Sequence, residues 1–591
     1  MSLAESSKKE VFGHPAGLFI LFLTEMWERF SFYGMRGILA LYIATSASAA
    51  DPGLGWSTKD ALWLFGWYSM LVYVSAIPGG WIADKFLGQK KTVMIGGFLL
   101  VLGHSILAIP QNWAFFTGLG FIILGVGGLK SNISTMVGGL YEPNDLRREK
   151  GFTIFYIGIN IGALLASISV GLVAYYYGWH YGFGLAGIGM LIGQIIFIWG
   201  QKFLVGVGEF SGGDKASEEE KAAAKRPLTK IEKDRIIVLL LSFLIIIVFW
   251  GAYEQAGGLM NLYTDTKIDR TIGLSWMQEI PAAVFQGLPA FYIIVFGTAI
   301  ASFWVWWQKK GRESSSLFKM AIGTIIMGLG YIFMIFASKE ASADNFGKAA
   351  MMWIVLAYLF HTIGELSTSP VALSFITKLA PIKYASLMMG VYFAASGLGD
   401  KLAGNIGEMS QLEPYTAEVV AEKEALLPFM TKDSMRIKDV SNNIITVYDY
   451  PINEDLAFEI KSKVYLEDGE IHFSEYETDH VFTEAVVIDE SDYVELKSVL
   501  EASNATVSNP NHARVLFEKD DDARNFIDNK GDGKEYYISF VLEEEQSKME
   551  YKTFIGLVLF TVSFGLLLLL FLKKLKALTH GAEDTPKEVI E

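Results

Sequence analysis

Apolar stretches long enough to cross a bilayer follow one another about twelve times along this chain. They run at roughly 15–46, 57–83, 92–110, 114–140, 152–177, 180–200, 234–262, 280–308, 315–337, 349–378, 384–406 and 552–573. Lipid offers the backbone no hydrogen-bond partners, so each stretch must close its own ladder, and uninterrupted segments of this length do so as helices. Composition agrees: 52% of the 591 residues are hydrophobic and 58 are glycine, and mean hydropathy is +0.34. Such values belong to membrane proteins rather than to large soluble enzymes. The N-terminus lacks the short apolar segment and cleavage site of a secretory signal, so the first span is expected to serve as the insertion signal. Cysteine is absent, which excludes disulfide and thiol chemistry.

Basic residues in short loops set orientation. Loops after even-numbered spans hold Lys85, Lys90 and Lys91, then Arg147, Arg148 and Lys150, then Lys309, Lys310 and Arg312. The stretch after span six adds Lys215, Lys221, Lys225, Arg226 and Lys230, whereas odd loops carry scattered residues such as Lys59, Lys267 and Lys339. Both termini are therefore expected in the cytoplasm. The net charge of −15 divides unevenly: residues 408–550 hold 34 acidic and 13 basic residues, leaving the rest of the chain at +6. That segment is too polar to span. Runs such as NNIITVYDY, FEIKSKVYL, EIHFSEY and YYISFVL are rich in β-formers, while YVELKSVLEAS and DDARNFIDNK read as helical. A small α+β or β-rich extracytoplasmic domain is expected there, large enough for its own core.

The expected fold class is all-α membrane protein, with two six-helix bundles in a twelve-span major facilitator arrangement and one inserted domain. The divisions are residues 1–200 (first bundle), 201–233 (cytoplasmic linker), 234–407 (spans seven to eleven), 408–550 (inserted domain), 551–575 (span twelve) and 576–591 (cytoplasmic tail).

Within the first span, EMWERFSFYGMR (25–36) places four charges in an otherwise apolar run. At about 100° per residue and with Glu25 as zero, Glu28 falls at about −60°, Arg29 at +40°, Tyr33 at +80° and Arg36 at +20°. All point one way. Intramembrane charge is costly and faces a protein interior or wet cavity, marking an ion or substrate path. Lys130 in span four, Glu254 in span seven and Glu365 in span ten join this set. Four carboxylates (Glu25, Glu28, Glu254, Glu365) then oppose three cations (Arg29, Arg36, Lys130). The surplus carboxylate is what proton coupling needs: a site filled by a proton or released by ion-pair exchange.

These residues carry a family likeness. The chain resembles the proton-dependent oligopeptide transporter family. The family motif E-x-x-E-R-F-x-Y-Y is matched at Glu25, Glu28, Arg29, Phe30 and Tyr33, with Phe32 in place of the first tyrosine. GGWIADKFLGQKKTV (79–93), FYIGINIGA (155–163) and GELSTSP (364–370) are similar to further signatures, so the likeness covers essentially the whole membrane part. It implies uptake of di- and tripeptides, driven by protons through alternating access. By match to the family, Glu25, Glu28, Arg29, Lys130 and Glu254 are proton-coupling residues. Arg36 and Lys130 would receive the peptide carboxylate, Glu365 its ammonium group, and Tyr33, Tyr68 and Asn160 its backbone. Trp250, Phe285 and Tyr392 would line side-chain pockets, with Glu254 and Ser369 completing the peptide site. Asp84, with Lys90 and Lys91, reads as a gate or hinge of a cytoplasmic loop.

Four departures from the family accompany the match: Phe32, Pro289 where asparagine is frequent, Tyr392 where many members have tryptophan, and Gly66 at the position of a histidine in animal members. The acidic insertion also lies between spans eleven and twelve, whereas animal members place theirs between nine and ten.

Blander readings stand beside these. Glu28–Arg29 could be a structural ion pair, and Lys130 could be structural beside Gly125, Gly127 and Gly128. His104 and His361 read as packed or hydrogen-bonded, Asp400 and Lys401 as near a membrane end, and Asp234 as solvated. Tyr175–Tyr177 and Trp304–Trp307 read as interfacial belts. The sequence has no G-x-x-x-x-G-K-[ST] for direct ATP drive and no metal-ligand cluster. No cofactor beyond the coupling proton and no nucleic acid is expected. Partners would be small peptides, protons, membrane lipid and an extracytoplasmic partner of the inserted domain, at a bacterial inner membrane. Two other functions stay open: a carrier of the same fold for nitrate, an amino acid or a drug, and a sensor or docking protein working through its inserted domain.

Overall fold

The structure, a computed structural model, describes residues 9–45, 51–142, 145, 147–209, 227–275, 277–343, 348–381, 385–411 and 543–582, together with strands between 416 and 540. In chain order the long helices are α1 (Ala16–Ala44), α2 (Thr58–Leu87), α3 (Gln89–Leu107), α4 (Asn112–Gly139), α5 (Lys150–Tyr177) and α6 (Trp179–Phe203), then α7 (Lys230–Lys267), α8 (Ala282–Lys309), α9 (Ser316–Ala341), α10 (Met352–Leu379), α11 (Ala385–Met409) and α12 (Lys548–Ala577). Among the described residues, nine of these are long and apolar enough to cross a membrane. The others, α1, α10 and α11, have 29, 28 and 25 residues and carry ionisable residues of the interior.

Local chemistry fixes several helix ends. Ser57 accepts from the Asp60 N–H at 3.1 Å to start α2, and a capping box between Thr229 and Glu232 starts α7. That helix breaks into a 3₁₀ turn at Glu254–Ala256, ahead of Gly257 and Gly258. In α10, Pro370 sits inside the helix and removes a backbone donor.

In the first half, α1 packs against α5 and α6, and α3 against α4 and α6; in the second, α9 packs against α10 and α12, and α7 against α11. Close approach rests on glycine. A Cβ on Gly79 of α2 would lie 1.9 Å from the Gly127 carbonyl oxygen of α4, so no other residue fits there. The glycines flanking Lys130 therefore do allow tight packing.

Among the described residues the halves meet at α2 with α11, α5 with α8, and α1 with α7, with a smaller contact of α1 with α8. At the first, a Cβ on Gly66 would lie 2.8 Å from Gly404 Cα. A histidine at position 66 has no room with α11 so placed, which accounts physically for that departure. At the third, Asn261 donates to the Gly37 carbonyl at 2.8 Å. Leu62, Phe65, Gly257, Gly258 and Gly407 meet in the same region. The contacts of Gly66, Leu62, Phe65 and Asn261 lie toward the end where α1 finishes and α2 begins, and α2 stays in contact with α11 as far as Ala76–Ile82.

Between α11 and α12, five strands pair in the order 470–473, 463–467, 416–420, 444–448 and 436–441; four more pair as 506–507, 513–516, 484–488 and 538–540. All four β-rich runs read from the sequence contain a strand. The two helical readings there, and residues 210–226 of the linker, lie outside the described residues.

Candidate functional site

The stripe on α1 is interior. Glu25, Glu28, Arg29 and Arg36 are 2%, 0%, 3% and 8% exposed. Arg29 Nε lies 2.8 Å from a carboxylate oxygen of both Glu25 and Glu28, and the hydrogen bond goes to Glu25. One N–H has one direction, so Glu28 is held by charge and keeps both oxygens without a hydrogen-bond partner among the described residues. Lys130, on the facing α4, is within electrostatic reach of Glu28, Glu25 and Arg29. Its ammonium sits 3.4 Å from the centroid of the Tyr73 ring, a cation–π contact that desolvation strengthens.

A second cluster spans the two halves. Arg36 of α1 forms an ion pair and hydrogen bond with Glu254, at the break in α7. Its guanidinium carbon also lies 5.1 Å from the Phe65 ring centroid. Next to Glu254, Tyr253 donates to Glu365 of α10 at 2.5 Å. Tyr33 stands between these groups, within electrostatic reach of Arg29, Arg36, Glu254 and Glu365. Tyr68, within reach of both Arg36 and Glu28, connects the clusters. Its buried hydroxyl has no hydrogen-bond partner among the described residues, nor have Arg36 Nε and Ser369 Oγ. Buried polar atoms are normally satisfied, so these are groups an incoming polar ligand can satisfy.

Around Glu365 the walls are aromatic: Tyr156 and Tyr392 are within its reach. Asn160 donates to the Tyr156 carbonyl at 3.0 Å. Trp250 packs against both hydrophobic clusters of the molecule, Phe285 belongs to one and Tyr392 to the other. The structure thus draws most of the sequence-selected residues into one connected interior. Asp84 and Lys90 are elsewhere. Asp84 lies in the π-helical stretch closing α2; the Lys90 N–H donates to Gly208 at 2.8 Å and its ammonium lies 3.7 Å from Glu209. At the same end Arg147 bonds Asp145 and Glu10, and its side-chain and then its backbone hydrogen bond to Asp145 hold that carboxyl below its ordinary range.

Sequence reading missed Tyr73, Tyr156 and Tyr253, and it placed Asp400 near a membrane end. Asp400 is instead 2% exposed and within electrostatic reach of Glu254, Arg36 and Lys130. Its neighbour Lys401 faces Trp63 and Trp67. The phase of α11 held the missing signal, since consecutive helical residues differ by about 100°. His104 and His361 are fully buried, and neither has a hydrogen-bond partner among the described residues. They are packed, His361 with its ring centroid 4.6 Å from that of Tyr331. Phe32 is buried, with the Arg29 guanidinium 5.8 Å from its ring centroid.

A helical membrane protein whose two halves enclose paired charges and aromatic walls has the make-up of a membrane transport protein. The POT family profile matches residues 90–209 and 215–422, and the chain belongs to that family. It is 33% identical over 455 residues to the peptide transporter YePEPT of Yersinia enterocolitica, covering 67% of this chain and 88% of the relative. To a di-/tripeptide transporter of Lactococcus lactis it is 32% identical, covering 69% and 92%. Among solved structures it resembles a mutant of the peptide transporter POT in complex with alafosfalin (TM-score 0.62, 33% identity, 68% of this chain and 90% of that one). It is also similar to a POT family transporter in complex with 5-aminolevulinic acid (TM-score 0.62, 28% identity, 69% and 93%).

Proposed function

We propose that the protein imports di- and tripeptides together with protons, by alternating access of two six-helix bundles that make twelve spans. The observation that carries this reading is the buried interior between the bundles, where Arg36 and Lys130 supply positive charge and Glu365 a separate carboxylate. Short peptides of any sequence share one anionic and one cationic end, so a site with both signs and loose aromatic walls suits them as a class. The named relatives in Yersinia and Lactococcus support the same substrate. The proton belongs with Glu25, Glu28, Arg29 and Lys130, where a carboxylate released from its cation can take up a proton. Glu254 pairs with Arg36 and so links that event to the bundle interface.

The basic loops assign the Lys85–Lys91 end to the cytoplasm. The end at which Gly66 of α2 meets Gly404 of α11 would then be external, and the close contact there supports a reading of the transporter as closed outside. Residues 408–550 would be extracytoplasmic and both termini cytoplasmic. The experiment is uptake of a labelled dipeptide into liposomes with an imposed inward proton gradient. Accumulation that a protonophore abolishes is the expected result. Accumulation of nitrate or a free amino acid in preference to the peptide would overturn the reading, as would gradient-independent uptake.

A further inference from the structure

Asp400 lies outside the residues assigned above, and its setting is unusual. It sits on α11, in the second bundle, and is 2% exposed. Its Oδ2 has no hydrogen-bond partner among the described residues. The charged and titratable groups acting around it come from four other helices: Arg36 of α1, Tyr73 of α2, Lys130 of α4 and Glu254 of α7. On α10 the nearest carboxylate of the site, Glu365, is engaged by Tyr253. Lys401 is turned toward Trp63 and Trp67. Asp400 is therefore the second carboxylate that the second bundle sets against the two cations of the first. Its backbone is also at the crossing of the bundles: a Cβ on Gly66 of α2 would lie 3.5 Å from the Asp400 carbonyl oxygen.

Electrostatics then define its role. Arg29, Arg36 and Lys130 face Glu25, Glu28, Glu254 and Asp400, so an ionised Asp400 leaves the set one negative charge in excess and opposed to a peptide carboxylate. An ionised carboxylate with an unsatisfied oxygen is also costly at this depth. A proton relieves both conditions at once. We propose that Asp400 is the switch between proton entry and peptide-carboxylate binding: ionised, it neutralises Lys130 and Arg36, and protonated, it frees them for the peptide. This rests on the peptide-transport reading and adds Asp400 to the proton-coupling set of Glu25, Glu28, Arg29 and Lys130, to which Lys130 joins it. In the step, a proton from external water forms an O–H bond at the Asp400 carboxylate, and the peptide carboxylate takes the vacated charge. After the bundles rock and the peptide leaves, the proton passes to cytoplasmic water and Asp400 returns to Lys130.

The sign is fixed. Peptide binds more tightly as pH falls, because protonation removes the competing carboxylate, and Asp400→Asn removes that competitor at every pH. The test is the affinity of the full-length protein in nanodiscs for a labelled dipeptide, measured between about pH 5.5 and about pH 8. In the wild type, affinity is expected to weaken with pH by up to about tenfold per unit, the limit for one linked proton. In Asp400→Asn the slope should flatten, with tight binding kept at the alkaline end, and Asp400→Glu should restore it. Gradient-driven accumulation by Asp400→Asn should fall at least tenfold, with peptide exchange reduced far less. A wild-type slope in Asp400→Asn overturns the proposal, and so does a flat slope in Asp400→Glu. Absence of dipeptide binding by the wild type at every pH would count against the peptide reading itself, which separates the two failures.

Discussion

Arg36 is a guanidinium held near the middle of the molecule at 8% exposure. A cation at the centre of a spanning helix costs on the order of 3 kcal/mol on insertion scales unless it is answered. Glu254 answers it with an ion pair from the opposite bundle, and Phe65 offers a ring face. The pair does more than neutralise charge, since breaking it from one side leaves an uncompensated buried ion at about 3–5 kcal/mol. A double-mutant cycle measures this. Glu254→Gln and Arg36→Gln should each lower thermal stability in detergent. The double variant should lose clearly less than the sum, with a coupling energy of about 1–3 kcal/mol. Additive losses would show that the two residues do not act as a pair. Arg36 was legible in the sequence because α1 is one unbroken helix, so a single angular count placed all its charges on one side. Tyr253 was not, because it is a neutral aromatic at the end of the α-helical part of α7 whose partner, Glu365, lies on α10, and helical phase names no partner on another helix.

Elements explain what a residue count cannot. The helices were readable because lipid permits few alternatives to continuous apolar segments, and several strands described between 416 and 540 fall in runs read from their β-formers. The crossings were not, since a glycine in a membrane helix shows that a close approach is possible without naming the partner. Gly66 against Gly404 is such a crossing, and it brings Leu62 of α2 against Gly407 of α11, with a Cβ there 3.2 Å from Leu62 Cδ1. The native chain has no cysteine, so this contact can be tested without background. Paired Cα atoms at a disulfide lie about 4.4–6.8 Å apart, a spacing that a crossing this tight allows. A Leu62→Cys/Gly407→Cys variant should cross-link on mild oxidation, lose dipeptide uptake and recover it on reduction. Either single variant should be insensitive to the oxidant. Full uptake by the cross-linked double variant would show that α2 and α11 need not separate during transport.

At the scale of the whole molecule, about two-thirds of the chain aligns with about nine-tenths of its Yersinia and Lactococcus relatives. The family profile reaches residue 422, and most of the acidic segment, with 34 acidic against 13 basic residues over 408–550, follows it. The charges of the candidate site come from α1, α4, α7, α10 and α11, which precede residue 411. The segment enters after α11, which packs on α7 and on α2 of the first bundle, and leaves into α12, which packs on α9. If transport resides in the bundles alone, joining α11 to α12 with a short flexible linker in place of residues 411–549 should leave the affinity for dipeptide unchanged. Gradient-driven uptake should stay within about twofold, a difference of about 0.4 kcal/mol in barrier height. A loss of affinity at external pH would assign the segment to peptide capture. Unchanged affinity with slowed uptake would instead tie it to the rocking of α11 against α2.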